Sequence, residues 1–321
     1  MQDKKCREEY LRRIHKVQDY IEKNMGHGMS KGHGMSKGHG MALDELAGEA
    51  GFSKYHFSRI FQGIWQESVA HYVNRIRIEN AQFLLAHRLD KNITDIAYEL
   101  GLSDSAAFSR VFKNYCGISP REYRQEYSKN CKDSFLLSAY NKDTAKKEWT
   151  ADLFPVKGKI TLQHLESKQI AYVRHTGTYE TLASAYGNLI ETLFAHAEEQ
   201  KLLIDGQNQV LAIYHDNPEF GEEKQFRTSL CLTIPANLQI REDGILGRME
   251  LEGGLYAVGS FQIRQEQYPD AWNYMYQEWL TGSGYFPRNI APFEVYRKVP
   301  EEGGDGIHEV DIYVPIEPVH Y

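Results

Sequence analysis

The segment FSRIF at residues 57–61 returns as FSRVF at residues 108–112. At this 51-residue offset Ser68 and Tyr72 also match Ser119 and Tyr123. Upstream the offset is 50, with Ala47, Gly51 and Ser53 matching Ala97, Gly101 and Ser103. The second copy therefore carries one extra residue, which the spacing places within 104–107. Each copy reads as helix, tight turn, helix. In the first, Leu43, Leu46, Ala47 and Ala50 have helical spacing, Gly51 breaks the helix, Ser53 sits where an N-cap belongs, and Tyr55, Phe57, Ile60 and Phe61 follow. In the second, Ile93, Ile96, Ala97 and Leu100 precede Gly101, and Ser103 is expected to cap a helix carrying Phe108, Val111 and Phe112. These are two helix-turn-helix units, at about 43–63 and 93–114.

Residues 68–87 read as one long helix between the units, and Leu11, Ile14, Val17 and Ile21 define an amphipathic helix before them. Two reading helices on a rigid spacer suit B-DNA, which presents its major groove on one side every ~34–36 Å. Duplex DNA, bound through two adjacent major-groove segments, is thus the expected partner. Phe57, Phe61, Phe108 and Phe112 take the core side of the two readers. The residues expected to meet DNA are Lys54, Tyr55, His56 and Arg59 on the first and Ser105, Ala106, Ser109 and Arg110 on the second. Arg59 and Arg110 hold equivalent places and suit phosphates as well as bases; each of these side chains also reads as a solvated helix face.

The ordered set Ala47…Gly51-Phe52-Ser53…Phe57-Ser58-Arg59…Phe61, Tyr72…Arg77…Ala81…Leu84-Leu85, Ile96-Ala97…Gly101…Phe108-Ser109-Arg110…Phe112-Lys113 and Gly117-Ile118-Ser119-Pro120…Tyr123-Arg124 resembles the AraC/XylS-type DNA-binding domain. The resemblance implies a transcription regulator with RNA polymerase as a further partner. This chain has Gln66 where that family usually has glycine, matching Gly117, so a slightly altered turn is expected there. It also has GHGMSKGHGMSKGHGM at 26–41. His27, His33 and His39 read either as metal ligands or as part of a loop lengthened by repeat expansion. The loop is favoured, because closure entropy grows only logarithmically and a metal site needs second-shell support. No metal and no other cofactor is expected.

Charge separates two regions. Residues 1–130 hold 20 Lys and Arg against 16 Asp and Glu, and residues 131–321 hold 17 against 28, within a net charge of −7. A basic part followed by an acidic part suggests domains with different partners. Four scattered cysteines without a CxxC read as reduced thiols in a cytoplasm. No apolar run approaches the ~20 residues of a membrane helix, and the start, MQDKKCREEYLRR, has no apolar h-region. A cytoplasmic protein with no membrane partner is expected.

The domains expected are a helical one over 1–127, a linker over 128–156 and an α+β one over 157–321. In the last, alternation marks strands at Ile160-Leu162, Ile170-Tyr172, Val210-Ala212-Tyr214 and Leu230-Leu232-Ile234, and Leu182, Tyr186, Leu189 and Leu193 mark a helix. Met249–Ile263 reads as one strand, Pro269 starts a helix carrying Trp272, Met275, Tyr276 and Trp279, and Phe293–Lys298 and Val310–Ile316 are strands. LCLTIP at 230–235 echoes IYVPIEP at 312–318. The fold class is therefore multidomain: an all-α double helix-turn-helix domain, then an α+β domain with an internal pseudo-twofold repeat and a cleft between its halves.

Gly177-Thr178-Tyr179, Gly253-Gly254-Leu255-Tyr256-Ala257-Val258, Trp279-Leu280…Ser283-Gly284-Tyr285, Pro292-Phe293-Glu294-Val295-Tyr296 and Glu309-Val310-Asp311-Ile312-Tyr313-Val314-Pro315-Ile316 resemble the GyrI-like effector-binding domain. The resemblance implies a small, often cationic, aromatic ligand and an essential glutamate, which is Glu294 here. Ser229 stands where the family often has Asp, so the first half is expected to bind differently. In FEVY, alternation puts Glu294 and Tyr296 on one strand face, and a carboxylate among rings attracts an organic cation. From the residues alone, a salt bridge from Glu294 to Arg or Lys is the simpler reading. Candidate aromatic walls are Tyr172, Tyr179, Tyr256, Trp272, Tyr276, Trp279 and Tyr296, although rings at helical spacing are commonly core.

The reading that leads is a non-enzymatic regulator that binds DNA and senses a small molecule. A hydrolase is the alternative, against which stand the lack of a nucleophile elbow or metal cluster and HEVDIYV at 308–314, which shares only two letters with HExxH. A constitutive DNA-binding protein with a protein-binding second half is the third.

Overall fold

The computed structural model describes residues 2–25, 42–102, 104–130, 156, 158–216, 225–241, 245–280, 282–298 and 306–318. The Gly/His repeat, with His27, His33 and His39, and all of the expected linker but 128–130 and 156 lie outside these residues. One compact unit includes Met1–Lys129, and another includes Asn130–Arg241 and Arg248–Tyr321.

The first unit is helical: α1 Gln2–Met25, α2 Leu43–Glu49, α3 Lys54–Trp65, α4 Val69–His87, α5 Ile93–Glu99, α6 Ser105–Cys116 and α7 Pro120–Asn130. Its repeat builds two cores. Ile14, Val17 and Ile21 of α1 close over Leu46, Phe57 and Phe61 together with Val69, Tyr72 and Ile76 of α4. Ile78, Ala81, Leu84 and Leu85, further along α4, pack with Ile96, Phe108 and Phe112. The 19 residues of α4 span about 28 Å at 1.5 Å each, so one helix serves both cores and fixes their separation.

The two turns use the same bonds. Phe52 N–H donates to Ala47 O and Gly51 N–H to Gly48 O; Leu102 N–H donates to Ala97 O and Gly101 N–H to Tyr98 O. Gly51 and Gly101 hold φ of 65° and 75°, the left-handed region where a side chain is strained. The second cap differs from expectation. Asp104, not Ser103, accepts the Ala106 N–H at 2.8 Å, and α6 starts at Ser105. Ser53 has the matching role in the first unit, accepting from His56 N–H. The extra residue therefore lies in the turn, ahead of the cap, and not within 104–107; Ser103 itself is outside the described residues.

The second unit is built on a sheet of β1 Lys159–Leu165, β2 Lys168–Thr176, β3 Val210–Tyr214, β4 Arg227–Ile234, β5 Gly247–Leu251, β6 Gly254–Ile263, β8 Phe293–Lys298 and β9 His308–Pro318, with a short β7, Tyr285–Pro287, on β9. The strand order is β1-β6-β9-β8-β3-β4-β2-β5. Exchanging β1, β2, β3 and β4 with β5, β6, β8 and β9 returns the same order reversed. The register agrees with the exchange: Ala212 pairs with Leu230 on one side, and Glu294 with Ile312 on the other. Ala212 also pairs directly with Glu294, so the pseudo-twofold axis passes through that pair.

Met249–Ile263 is two strands rather than one, broken at Glu252 and Gly253. β5 and β6 sit at opposite ends of the strand order, as do β1 and β2. The two bends meet, with Gly253 N–H donating to Ser167 Oγ at 3.1 Å. A Cβ on Gly253 would fall 2.8 Å from Leu165 O, so the close approach requires glycine there.

Helix α8, Tyr179–Glu199, packs on β2 and β4. The helix expected from Pro269 is α9, Tyr268–Asn273, which widens at once into a π-helical stretch over Tyr274–Leu280. Ala271 and Met275 of this segment pack on Ala257, Val310 and Ile312. The other sheet face gathers Tyr172, Leu211, Tyr256, Phe293 and Val295.

Candidate functional site

Helices α3 and α6 each turn two phenylalanines inward and a polar face outward. Phe57 and Phe61 are fully buried, as are Phe108 and Phe112. On α3, Lys54, Tyr55, His56 and Arg59 are exposed within about one and a half turns. The Arg59 guanidinium lies over the Tyr55 ring at 4.6 Å, a cation–π contact that limits how far the arginine swings. Lys54 reaches Asp44 at 3.1 Å, an exposed pair of the kind that contributes little, and His56 Nδ1 lies 3.1 Å from Ser53 Oγ.

On α6, Ala106 and Arg110 are exposed, while Ser105 and Ser109 are half-buried. Ser109 Oγ donates to Ser105 O at 2.9 Å, so this serine is partly engaged within its own helix. Counting back from the phenylalanines, Ala106 stands where α3 has Tyr55, and Arg110 where it has Arg59. The second arginine therefore lacks the ring that Tyr55 gives the first.

In the sheet unit Glu294 is 1% exposed. Its Oε2 accepts from Tyr214 Oη and Tyr296 Oη, each at 2.8 Å, and its Oε1 accepts from Trp272 Nε1–H at 2.6 Å. No Arg or Lys among the described residues pairs with it, so the salt-bridge reading falls. Burial pushes the Glu294 carboxyl up, against the three hydrogen bonds, which pull it down. The phenols of Tyr214 and Tyr296 are pushed well up by burial and by the adjacent carboxylate. Tyr186 is raised to about 12, chiefly by burial, with Glu294 adding to the rise and a hydrogen bond to Tyr296 opposing it.

An aromatic shell surrounds this carboxyl. Tyr214 meets Tyr179 at 6.0 Å and Trp272 at 5.6 Å, Tyr186 meets Tyr296 at 6.1 Å, and Tyr276 stacks on Trp272 at 6.1 Å. The expected residues Tyr179, Trp272, Tyr276 and Tyr296 are thus brought together with Glu294. Tyr256 and Tyr172 are not. Strand alternation turns both to the opposite sheet face, where Tyr256 donates to Glu252 O and packs on Phe293. Trp279 is also apart, near the end of the π-helical stretch, where it stacks on Tyr285 at 6.3 Å.

Tyr214 and Tyr186 were missed, together with Tyr268, whose phenol lies close enough to feel the Glu294 charge. The signal for Tyr214 was present: the repeat that matches Leu230 to Ile312 also matches Tyr214 to Tyr296. Chemically, the arrangement is a buried carboxyl hydrogen-bonded by two phenols and an indole, with further aromatic rings around them. Among the described residues no group of His, Cys, Asp and Glu is placed to hold a metal ion, and no helix is long and apolar enough to cross a membrane.

Residues 158–317 match the family described as the GyrI-like small molecule binding domain, and residues 46–126 match a helix-turn-helix domain family. The chain is 29% identical over 156 residues to a DNA gyrase inhibitor of Yersinia enterocolitica, which covers 47% of this chain and 93% of that protein. It is 33% identical over 112 residues to an uncharacterized HTH-type transcriptional regulator of Staphylococcus aureus strain MSSA476, covering 35% of this chain. That match spans only 13% of the staphylococcal protein's length. Among solved structures, the EcmrR–DNA complex in its EcmrR-RPo assembly, determined by cryo-electron microscopy, superposes with a TM-score of 0.44 at 16% identity, covering 66% of this chain and 77% of that one.

Proposed function

Taking the chain as an AraC-type helix-turn-helix domain joined to a GyrI-like small molecule binding domain, we propose that it is a ligand-responsive transcription regulator. It binds duplex DNA in the cytoplasm through α3 and α6 and responds to a flat aromatic cation held at Glu294. The observation that carries the effector class is the buried carboxyl itself: it faces Trp272, Tyr214 and Tyr296 with no basic partner among the described residues. The readers engage two adjacent major-groove segments, because α4 spans about 28 Å and the groove returns every ~34 Å. Arg59 on its Tyr55 platform and Arg110 supply the cationic contacts, with Lys54, His56, Ser105, Ala106 and Ser109 around them. One chain carries both readers, so a single copy suits an asymmetric site.

Effector binding shifts a population of states that differ in affinity for the ligand, and DNA or RNA polymerase reads the shift. No chemistry on the effector is invoked, and the protein is read as a non-enzyme.

The test is a titration of the purified protein with a planar organic cation, followed by intrinsic tryptophan fluorescence beside Glu294→Gln. Trp272 touches the carboxyl, so saturable quenching that the variant loses is the expected result. Quenching retained in Glu294→Gln would move the ligand elsewhere, and no response in either protein would sink the cation reading. DNA affinity is then measured with and without saturating cation by fluorescence anisotropy. Equal affinity would leave only an effect through polymerase.

A further inference from the structure

The donors around Glu294 are not equivalent, and the difference bears on the proton. Trp272 Nε1–H faces Oε1 at 2.6 Å and can only donate, because an indole nitrogen has no lone pair to offer. Oε2 faces two phenols, Tyr214 and Tyr296, each at 2.8 Å. A hydroxyl donates or accepts by rotating its hydrogen. A proton on Oε2 therefore has an acceptor at once. Tyr214 or Tyr296 accepts it by turning its own hydrogen away from the carboxyl. The partner at Oε1 cannot accept a proton in return.

The groups facing the carboxyl come from every element around it. They are Tyr214 on β3, Tyr296 on β8, Tyr179 and Tyr186 on α8, Trp272 and Tyr268 on α9, and Tyr276 in the π-helical stretch. Tyr268 in turn meets His308 Nδ1 of β9 at 3.0 Å. None of those touching Glu294 carries a positive charge. Opposite Glu294 across the strand pair stands Ala212, which offers neither charge nor hydrogen bond. An ionised carboxylate at 1% exposure would thus be a buried charge without a counter-ion among the described residues, which is costly.

We propose that the Glu294 site exchanges a proton for its cationic effector. The carboxyl is neutral when the site is empty, with its proton on Oε2. It releases that proton to the solvent buffer as the cation arrives and supplies the missing counter-charge. One carboxyl per domain gives one cation in and at most one proton out. The inference rests on the effector reading above, and it adds that the affinity for the effector depends on pH. Below the carboxyl's folded pKa, binding strengthens by up to about tenfold per pH unit; above it, binding levels off.

The experiment uses crystal violet, an organic cation whose charge does not titrate near neutrality, so any proton exchanged comes from the protein. Isothermal titration calorimetry of the full chain is run at one pH in phosphate and in Tris, which differ in heat of ionisation. The expected result is a binding heat that shifts with the buffer in the sense of proton release, by up to one proton, together with a Kd that falls as pH rises. Equal heats in the two buffers and a pH-independent Kd would overturn the proposal while leaving the effector reading in place. Absence of dye binding would remove both. A second measurement needs no ligand. The Glu294 carboxyl is followed by carbon-13 NMR of glutamate-labelled protein, its resonance assigned by its loss in Glu294→Gln. A midpoint above the ordinary glutamate value supports the proposal, and a midpoint at or below it overturns it.

Discussion

Both units of this chain are built on a repeat, and the two repeats are joined in opposite ways. The helical copies stand side by side on α4, each with its own core. The sheet copies are fused through β3 and β8, so that matching residues meet at the axis, and Ala212 is paired with Glu294. The difference decides what divergence can do. Separate copies change independently, so α3 carries a Tyr55–Arg59 stack and α6 carries small side chains in the corresponding places. Fused copies must share one site. Tyr214 and Tyr296 remain matched and both donate to Glu294 Oε2, but only one copy keeps a carboxyl, because two on the axis would be buried against each other. A similar split occurs one residue further on. Arg297 pairs with Asp311 at 3.1 Å, while in the matching places His215 Nε2 lies 2.9 Å from Ser229 Oγ.

The sharpest way to break this contrast is to restore the symmetry. Ala212→Glu places a second buried carboxyl directly opposite Glu294. Neither has a cation, so a loss of about 3–5 kcal/mol of unfolding free energy is expected, read by urea denaturation at pH 7. The loss shrinks at low pH, because carboxyls whose folded pKa is raised favour the folded state only when protonated. A variant as stable as the parent would mean that the pair does not share the buried environment described for Glu294.

The separateness of the helical copies is tested by their phenylalanines. Phe57→Ala and Phe108→Ala each remove a fully buried ring and are each expected to cost about 3–5 kcal/mol. Because the rings sit in different cores, the double variant should show the sum of the two losses to within about 0.5 kcal/mol. Strong non-additivity in denaturation of the full chain would show that the two cores act as one through α4.

The same pH argument applies to the parent protein on a smaller scale. Burial raises the folded pKa of Glu294, so its contribution to stability is fully present below the unfolded value of about 4.3 and is lost as pH rises through the folded value. Thermal melts without ligand should therefore show a fall in Tm over that window which Glu294→Gln removes. An identical pH profile in the two proteins would place the proton elsewhere.

Much of this architecture was legible in the sequence. Two short phenylalanine motifs, with glycines at matching offsets before them, specified the helical pairs, because core side chains and left-handed turns allow few residue types. Alternation placed Glu294 and Tyr296 on one face. Three features were hidden. The bend at Gly253 breaks an alternation that continues across it, so Met249–Ile263 looked like one strand. The π-helical widening after Asn273 shifts every later side chain, which is how Trp279 was misplaced. Tyr256 and Tyr172 lie on strands of the right domain, but which sheet face meets the helices depends on tertiary packing, and no local pattern records it. The cap at Asp104 was missed for a different reason: Ser and Asp both cap well, and only the backbone shows where the additional turn residue falls.

The smallest expected effect concerns the ends of α3 and α6, where the copies differ by one residue. Gly117 closes α6 with φ 77°, ψ −21°; Gln66 closes α3 with φ 57°, ψ 14°. Both are left-handed, a conformation that costs a residue with a Cβ about 1 kcal/mol or more relative to glycine. Gln66 recovers part of this by donating from Nε2 to Gly63 O at 3.0 Å, one of the carbonyls left open at the helix end. An exposed bond of this kind contributes less than the backbone strain removes, so Gln66→Gly is expected to stabilise the first unit by up to about 1 kcal/mol. The mirror change, Gly117→Gln, is expected to destabilise by a comparable amount, because the φ/ψ there is tuned to glycine. The pair of measurements is informative because it has a sign. If Gln66→Gly destabilises, the glutamine bond outweighs the strain, and the first copy has replaced its glycine with an equally effective stop of a different kind.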